Sequence, residues 1–197
     1  YEADEPEPGS AQIVFDLGSV QPVGLVEFWP TEAPDLIAAP LYAFPGQVLV
    51  ELSRDPGFNE AITVRVDDAR GPMYHNNFLR VMCDAYEARY LRFTFDELRK
   101  ENDREILGIG EISVSEVGQV FSEGCTVSVS GMPGAAEEQL ERLVDGYCRG
   151  RRILSETEWI MGLAERRPLD RRLAVVNQEL EAARNAWRTL QFRLSIW

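Results

Sequence analysis

Between Gln12 and Glu116, short apolar or alternating runs are separated by turn residues, and no long helical period appears. Seven of these runs have the length and the β-branched or aromatic content of strands. They cover residues 11–18, 23–29, 47–53, 61–66, 78–83, 89–95 and 109–115. Seven short strands joined by turns predict a β-sandwich or a β-barrel.

Residues 117–154 carry weaker signals of the same kind. They predict one more strand around 126–130, then a Pro-Gly turn, then a short amphipathic helix with Leu140 and Leu143 on one side. The segment 149–154, rich in arginine, is interpreted as a solvated junction that leads into the next region.

From Ser155 onward the hydrophobic period becomes that of a helix. Ser155 and Glu158 have the spacing of a capping box, and Pro168 is suited to the first turn of a second helix. Apolar residues then follow at 4-3-4-3 spacing, namely Leu169, Leu173, Val176, Leu180, Ala183, Trp187, Leu190 and Leu194. The pattern predicts a helical hairpin or coiled coil over 155–197, with a possible homodimer through 168–197. One long amphipathic helix lying on the sandwich is the alternative.

Composition and charge narrow the class of protein. The 197 residues are 45% hydrophobic and 27% charged, which is typical of a soluble protein with one full core. Residues 1–150 have a net charge of −16 and residues 151–197 have +3. An acidic main body argues against nucleic-acid binding through phosphates. Residues 1–10 are acidic and Pro-rich, and we expect them to be a disordered leader.

Motifs for catalysis are missing from the sequence. His75 is the only histidine, and the chain contains no nucleophile elbow, zinc-protease motif or phosphate-binding loop. Cys83, Cys125 and Cys148 form no CxxC or Cys/His cluster, which argues against a zinc site. They leave open one disulfide with a free thiol, or three free thiols. The sequence therefore predicts a binding protein, not an enzyme.

The predicted loops hold the candidate ligand residues. Aromatic rings stack on the C–H faces of sugars, while amide and imidazole groups form hydrogen bonds with hydroxyls. The candidates are Trp29, Tyr42, Tyr74, His75, Asn76 and Asn77. For each of the aromatic residues, Trp29, Tyr42 and Tyr74, the alternative is that the ring closes the end of the core.

Four stretches together resemble discoidin-type domains, also called coagulation-factor type C or galactose-binding-like domains. They are VFDLGSVQPVGLVEFWP (14–30), PGQVLVELSRDPGF (45–58), ARYLRFTF (88–95) and GIGEISV (108–114), in the order and spacing of that family. The resemblance covers residues 12–116. It implies a jelly-roll β-sandwich that binds carbohydrates, lipid headgroups or proteins through loops at one end, often with a structural Ca²⁺.

The family's opening segment is displaced in this chain. A discoidin-type domain has a strand and an Asp-Gly segment before its DLG strand, whereas here a similar stretch, SEGCTVSVSG…ERLVDGYCRGR, follows the last strand. The resemblance thus implies a circular permutation in which residues 124–130 and 143–146 complete the sandwich. By the same resemblance Asp145 and Glu111 would be the Ca²⁺ ligands. Asp145 should then lie near Glu111 and near the start of the VFDLG strand.

The sequence as a whole predicts a mainly β protein with an α-helical extension. The expected parts are a leader (1–10), a discoidin-like β-sandwich (11–154) and a helical hairpin or coiled coil (155–197). We expect a non-catalytic recognition module, carbohydrate-binding and extracytoplasmic (periplasmic or cell surface). It resembles the sensor region of a membrane-anchored bacterial protein whose anchor lies outside this chain. The alternatives are a protein-binding assembly module that oligomerises through the helix, and an accessory domain of a glycoside-processing enzyme.

Overall fold

The computed structural model describes residues 10–31, 41, 43–71, 78–131, 137–154 and 156–194. The chain divides into two compact units, with the boundary between Ile153 and Leu154. In the first unit the strands are β1 (Ala11–Pro30), β2 (Gln47–Ser53), β3 (Ile62–Val66), β4 (Leu79–Asp96), β5 (Arg99–Glu101), β6 (Arg104–Ile106), β7 (Ile109–Glu116), β8 (Gln119–Val120), β9 (Thr126–Ser130), β10 (Tyr147–Cys148) and β11 (Arg151–Arg152). Helix α1 (Glu137–Glu141) belongs to the first unit and helix α2 (Glu156–Leu194) to the second.

All seven predicted strand runs form strands, and the mainly β prediction is confirmed. Two pairs of runs merge, because β1 and β4 are long strands that pair antiparallel along their whole length. Their pairing runs from Ala11 opposite Phe95 to Phe28 opposite Leu79, with two shifts of register. The two longest strands of the first unit, β1 and β4, therefore lie side by side.

The main sheet has the order β3-β2-β4-β1-β7-β8, and β9 also pairs with β1. Strand β9 covers residues 12–16 of β1, whereas β7 covers residues 25–30. Each half of β1 thus has its own neighbour on the side away from β4. The first half belongs with β2, β3 and β9, and the second half belongs with β7 and β8.

Ring contacts show that these two halves face each other. Phe93 lies fourteen positions beyond Leu79 on β4, about 45 Å along a straight strand. Phe28 is the register partner of Leu79, yet its ring centroid is 5.3 Å from that of Phe93. The long strands must therefore bend, so that the sheet closes over its own core as two packed layers.

The core between the layers is rich in phenylalanine. Its fully buried rings are Phe15, Phe28, Phe44, Phe93 and Phe95. Phe15, Phe28, Phe93 and Phe95 meet edge to face, with centroid distances between 5.1 and 5.9 Å, and aromatic pairs favour this arrangement. The period of two along β1 and β4 places the rings of these two strands inward, whereas Phe44 lies just before β2.

The described parts of the segment between residues 124 and 146 pack against the sheet and its core. Strand β9 pairs with the first half of β1, while Leu143 and Val144 lie in the core. The amide of Ile112 donates to the Leu143 carbonyl at 2.9 Å, and the amide of Gly124 donates to the Val144 carbonyl at 3.0 Å. Residues 124–130 and 143–146 therefore complete the first unit, as expected.

Two hairpins outside the main sheet were not predicted, and neither was the short strand β8. Strands β5 and β6 pair inside a stretch expected to be a loop, and β10 pairs with β11 where a solvated junction was expected. Arg149 and Gly150 connect β10 to β11 with φ angles of 55° and 69°. Two positive φ angles are typical of the tight turns that join hairpin strands. Both hairpins carry mostly polar residues, so neither has the apolar alternation of a strand.

The second unit is one continuous helix, so the prediction of a helical hairpin is wrong. Helix α2 passes through Pro168 without interruption. A proline inside a helix removes one backbone hydrogen bond and kinks the helix. A hairpin would also need a loop at this point, but the residues around Pro168, namely Arg166, Arg167 and Leu169, are good helix formers. Ser155, the predicted cap, lies outside the described residues.

The predicted seam residues whose side chains the structure describes lie exposed along α2. Leu169, Leu173, Val176, Leu180 and Trp187 have exposures between 47% and 62%. Their pairing in a coiled coil stays a prediction. Neither described helix combines the length and the apolar character that crossing a bilayer requires.

Candidate functional site

Trp29 is the one predicted ligand residue that the structure describes. Tyr42, Tyr74, His75, Asn76 and Asn77 lie outside the described residues. Trp29 is the penultimate residue of β1 and is half-buried. Its ring stacks on Phe78, with centroids 4.4 Å apart and an interplanar angle of 26°. Phe78 directly follows residues 72–77, so the stack adjoins the predicted ligand loop in sequence.

Arg80 completes this aromatic stack. Its guanidinium carbon lies 5.3 Å from the centroid of the Phe78 ring. Glu27, the cross-strand neighbour of Arg80, accepts hydrogen bonds from Nε at 3.0 Å and from Nη2 at 2.7 Å. A fixed guanidinium beside an aromatic face favours a defined ring orientation. We call Trp29, Phe78 and Arg80 the strand-end stack.

A buried carboxyl group lies on the strand next to this stack. Glu111 is opposite Trp29 in the β1–β7 register and is 2% exposed. Burial raises the pKa of Glu111 to about 8, and the nearby carboxylates of Asp145 and Glu123 act in the same direction. The Gly146 amide donates to Glu111 Oε1 at 3.1 Å, which lowers this pKa in part. Glu111 is therefore largely protonated at neutral pH.

The predicted closeness of Asp145 to Glu111 is confirmed, because Gly146, the residue after Asp145, donates its amide to the Glu111 carboxyl group. Asp145 Oδ1 accepts the amide of Tyr147 at 2.8 Å, which closes a local turn. Gly146 has a φ of 78°, and an added Cβ would lie 3.1 Å from Glu123 Oε1. The Gly124 amide donates to the carbonyl of Val144, the residue before Asp145. Gly124 comes just before β9, and β9 pairs with the VFDLG strand, so this bond connects the turn to that strand.

Calcium at this turn stays a prediction. Glu111 Oε2 is buried and has no hydrogen-bond partner within the described part of the chain, so one oxygen is available to a cation. Ca²⁺ takes about six to eight oxygen ligands. The described residues contain no group of three or more His, Cys, Asp or Glu side chains suited to a metal. Glu111 and Asp145 would need backbone carbonyls or water as further ligands.

The three cysteines are free thiols with no disulfide between them. Cys83 and Cys148 are buried, and Cys125 is partly buried. Burial raises the pKa of Cys83 to about 11 and that of Cys125 to about 12. A nucleophilic cysteine needs a lowered pKa, so these two are poorly suited to catalysis.

A pocket beside the turn after β2 was not predicted from the sequence. It has a volume of about 360 Å³ and lies where β2 leads toward β3, facing the middle of β4. We call it the hairpin pocket, and its lining is Ser53, Arg54, Asp55, Asn59, Glu60 and Tyr86. Five of these six residues lie in the stretch SRDPGFNE, which carries turn signals. Tyr86 comes from a distant strand, so no local pattern points to the pocket.

Comparison with known proteins gives weak structural similarity. No protein-family model matches the chain, and no curated protein matches it. One similar structure is the lectin domain of lectinolysin in complex with Lewis b antigen, at 21% identity and a TM-score of 0.39, with 55% of this chain and 66% of that chain covered.

Two further similar structures are parts of chitobiases. A putative chitobiase fragment from Bacteroides thetaiotaomicron has 27% identity and a TM-score of 0.40, with 57% of this chain and 64% of that chain covered. The C-terminal domain of a Bacteroides fragilis chitobiase has 18% identity and a TM-score of 0.35, with 62% and 67% covered. The chain thus spans just under two thirds of the first two structures. Similarity at this level assigns neither a family nor a function.

Proposed function

We propose that the first unit is a non-catalytic recognition module that binds carbohydrate at the end of the sandwich where β1 ends and β4 begins. The observation that carries this proposal is the strand-end stack. Its half-buried rings offer an aromatic surface, and sugars present C–H faces that pack on such surfaces. Arg80 adds hydrogen-bond donors beside the rings.

Rigidity supports the same use of the stack. Trp29 and Arg80 belong to strands, and Glu27 holds the Arg80 guanidinium with two hydrogen bonds. A surface that is already ordered loses little conformational entropy when a ligand binds. Tyr74 and His75 precede Phe78 closely in sequence, and in this proposal they supply further contacts.

The finer parts of the proposal rest on the sequence resemblance. They are a permuted discoidin-like jelly roll, an extracytoplasmic location, and a role as a sensor or surface module or as an accessory domain of a glycoside-processing enzyme. In the sensor role, ligand binding would alter the packing of α2.

A glycan array on the intact chain tests the proposal. We expect a clear signal for at least one glycan, and we expect Tyr74→Ala and His75→Ala to remove it. Tyr147→Ala is the control, because Tyr147 is half exposed on β10 and belongs to none of these contacts. A blank array would contradict carbohydrate binding and favour a protein partner.

Helix α2 supports a second candidate function, which is assembly. Its exposed seam is apolar, and apolar surface of this kind marks interaction sites. If the seam residues occupy heptad positions a and d, Glu179 and Arg184 flank them at g and e. In a parallel pair of helices Glu179 faces Arg184 of the second copy, so the charges are complementary.

Light scattering tests the assembly. We expect the intact chain to form a dimer and a chain without residues 168–197 to be a monomer. Leu180→Glu, on the seam, should also give a monomer, whereas Gln178→Glu, exposed away from the seam, should leave the dimer unchanged. A monomeric intact chain would rule out this candidate.

A further inference from the structure

We infer that the hairpin pocket is a second saccharide site, which takes a neutral pyranose. Its ligand class is that of the proposed function, on which this inference rests, but its residues are different. The volume of about 360 Å³ is near the lower limit for small-molecule pockets, which suits one or two sugar rings.

The turn after β2 fixes one wall of the pocket. Asp55 Oδ2 accepts the Gly57 amide at 3.1 Å and the Asn59 side-chain amide at 2.8 Å. The Asp55 amide in turn donates to the hydroxyl of Ser53, which is 2% exposed, at 3.0 Å. These bonds hold Asp55 and Asn59 in one arrangement before any ligand arrives.

A bulge in β4 brings Tyr86 to the opposite wall. Asp84 and Ala85 have φ angles of 51° and 55°, and the β1–β4 register shifts beside them. Bulges re-aim the side chains that follow them. Tyr86 packs partly against the core. Arg54 is bound to Glu87 through the Glu87 carboxylate and, at 3.3 Å, through its carbonyl.

Several polar groups of the pocket are left for a ligand. Asp55 Oδ1, the Glu60 carboxylate and the Tyr86 hydroxyl have no hydrogen-bond partner within the described parts of the chain. Carboxylate oxygens accept hydrogen bonds from sugar hydroxyls, and a phenol both donates and accepts. The Tyr86 ring adds a surface for a C–H face. This combination matches a polyhydroxylated ring better than an apolar ligand.

Charge decides which sugars fit. Arg54 is the one cation of the lining, against Asp55 and Glu60, and its own partner is Glu87. An anionic ligand such as a uronate or sialate would meet this excess of negative charge without a free cation in the lining to pair with it. The pocket therefore favours neutral sugars.

The pocket is separate from the strand-end stack. The two sites share no residue, and the register shift in β4 lies between Arg80 of the stack and Tyr86 of the pocket. Variants at one site should therefore leave the other site intact.

NMR titration of the intact chain with methyl galactoside, methyl N-acetylglucosaminide and glucuronate tests the inference. We expect at least one neutral sugar to shift the amides of residues 53–60, and glucuronate to leave them unchanged. The double variant Glu60→Gln and Tyr86→Phe should bind about tenfold more weakly or worse. Glu105→Gln and Tyr147→Phe are the matched controls, and the unfolding midpoint checks that each variant is folded.

The outcomes separate the inference from the proposed function. Shifts confined to the strand-end stack and lost in Tyr74→Ala would overturn the inference and uphold the proposed function. Shifts at residues 53–60 that Tyr74→Ala leaves unchanged, with none at the stack, would uphold the inference and contradict the proposed site. If no sugar shifts residues 53–60, or if glucuronate binds there best, the inference fails.

Discussion

The pKa of Glu111 reflects the packing around its side chain. Its carboxyl group is buried beside Asp145 and Glu123, and its pKa is about 8, against 4.5 for an exposed glutamate. A folded-state pKa above the unfolded value means that the folded protein is most stable where the group stays protonated. This stability is fully present below about pH 4.5 and is lost as the pH rises through about 8.

Glu111→Gln should therefore remove a part of the pH dependence of unfolding. Glutamine keeps an acceptor for the Gly146 amide but carries no charge. With EGTA present, we expect the variant to be more stable than the wild type at pH 8.5 by a few kcal/mol at most, because one pKa unit corresponds to on the order of 1.4 kcal/mol. At pH 5 we expect a smaller difference in stability. Chemical denaturation at both pH values measures this difference. Equal curves for the two proteins would contradict the buried acid.

Calcium would act on the same carboxylates. A divalent cation beside Glu111, Asp145 and Glu123 would relieve their mutual repulsion and favour the ionised form of Glu111. We expect millimolar CaCl₂ to raise the melting temperature more at pH 8 than at pH 6. Asp145→Asn should abolish the rise, and MgCl₂ is the control cation. A melting temperature that does not respond to CaCl₂ would exclude Ca²⁺ at this turn.

At the scale of elements, the two bent strands β1 and β4 hold the layers together. Phe93 of β4 lies within 5.1 Å of Phe15 and 5.3 Å of Phe28, measured between ring centroids. These partners belong to different halves of β1. The contacts of Phe93 therefore join both layers.

Phe93→Ala should destabilise the first unit strongly. Removal of a fully buried ring costs about 3–5 kcal/mol, because lost burial and the remaining cavity both contribute. Chemical denaturation of the variant measures the loss, and Tyr147→Ala, at a half-exposed ring, should cost much less. A loss below about 1 kcal/mol would contradict the packing of Phe93 between the layers.

Pro168→Ala distinguishes a continuous α2 from a hairpin. Inside a helix, proline is about 3 kcal/mol less favourable than alanine. We expect the variant to raise the temperature at which the circular dichroism signal at 222 nm is lost from α2. At the start of a second helix the same change would have little effect. Gln178→Ala, at an exposed helical position, is the control.

The elements differ in how well the sequence predicts them, for physical reasons. An alternating run such as 47–53 specifies its own strand, because one face of it is buried. The merging of 11–18 with 23–29 depends on β4, which lies more than fifty residues away. The β10–β11 hairpin has too few apolar residues to produce an alternating pattern. The hairpin pocket needs Tyr86 beside Glu60, and only the fold brings those residues together.

At the scale of the whole molecule, charge separates the two units. The first unit, residues 1–153, has 27 acidic and 13 basic side chains and a net charge of −14, whereas the second unit, residues 154–197, has 6 and 7 and a net charge of +1. Several arginines of the first unit lie in ion pairs on the sheet, including the two-bond pairs Arg92–Glu51 and Arg89–Asp16. The acidic surface is thus only partly balanced, which suits neutral ligands better than anionic ones.

The pairing of β9 with the first half of β1 also fixes an order of events during synthesis. Gln12 faces Ser130, so one edge of the first strand has its partner only after more than a hundred further residues have left the ribosome. Contacts so distant in sequence form slowly, because a long loop must close first. Until then that edge of the nascent chain stays open to pairing with other chains. Residues 126–130 therefore complete this edge of β1 late in the synthesis of the first unit.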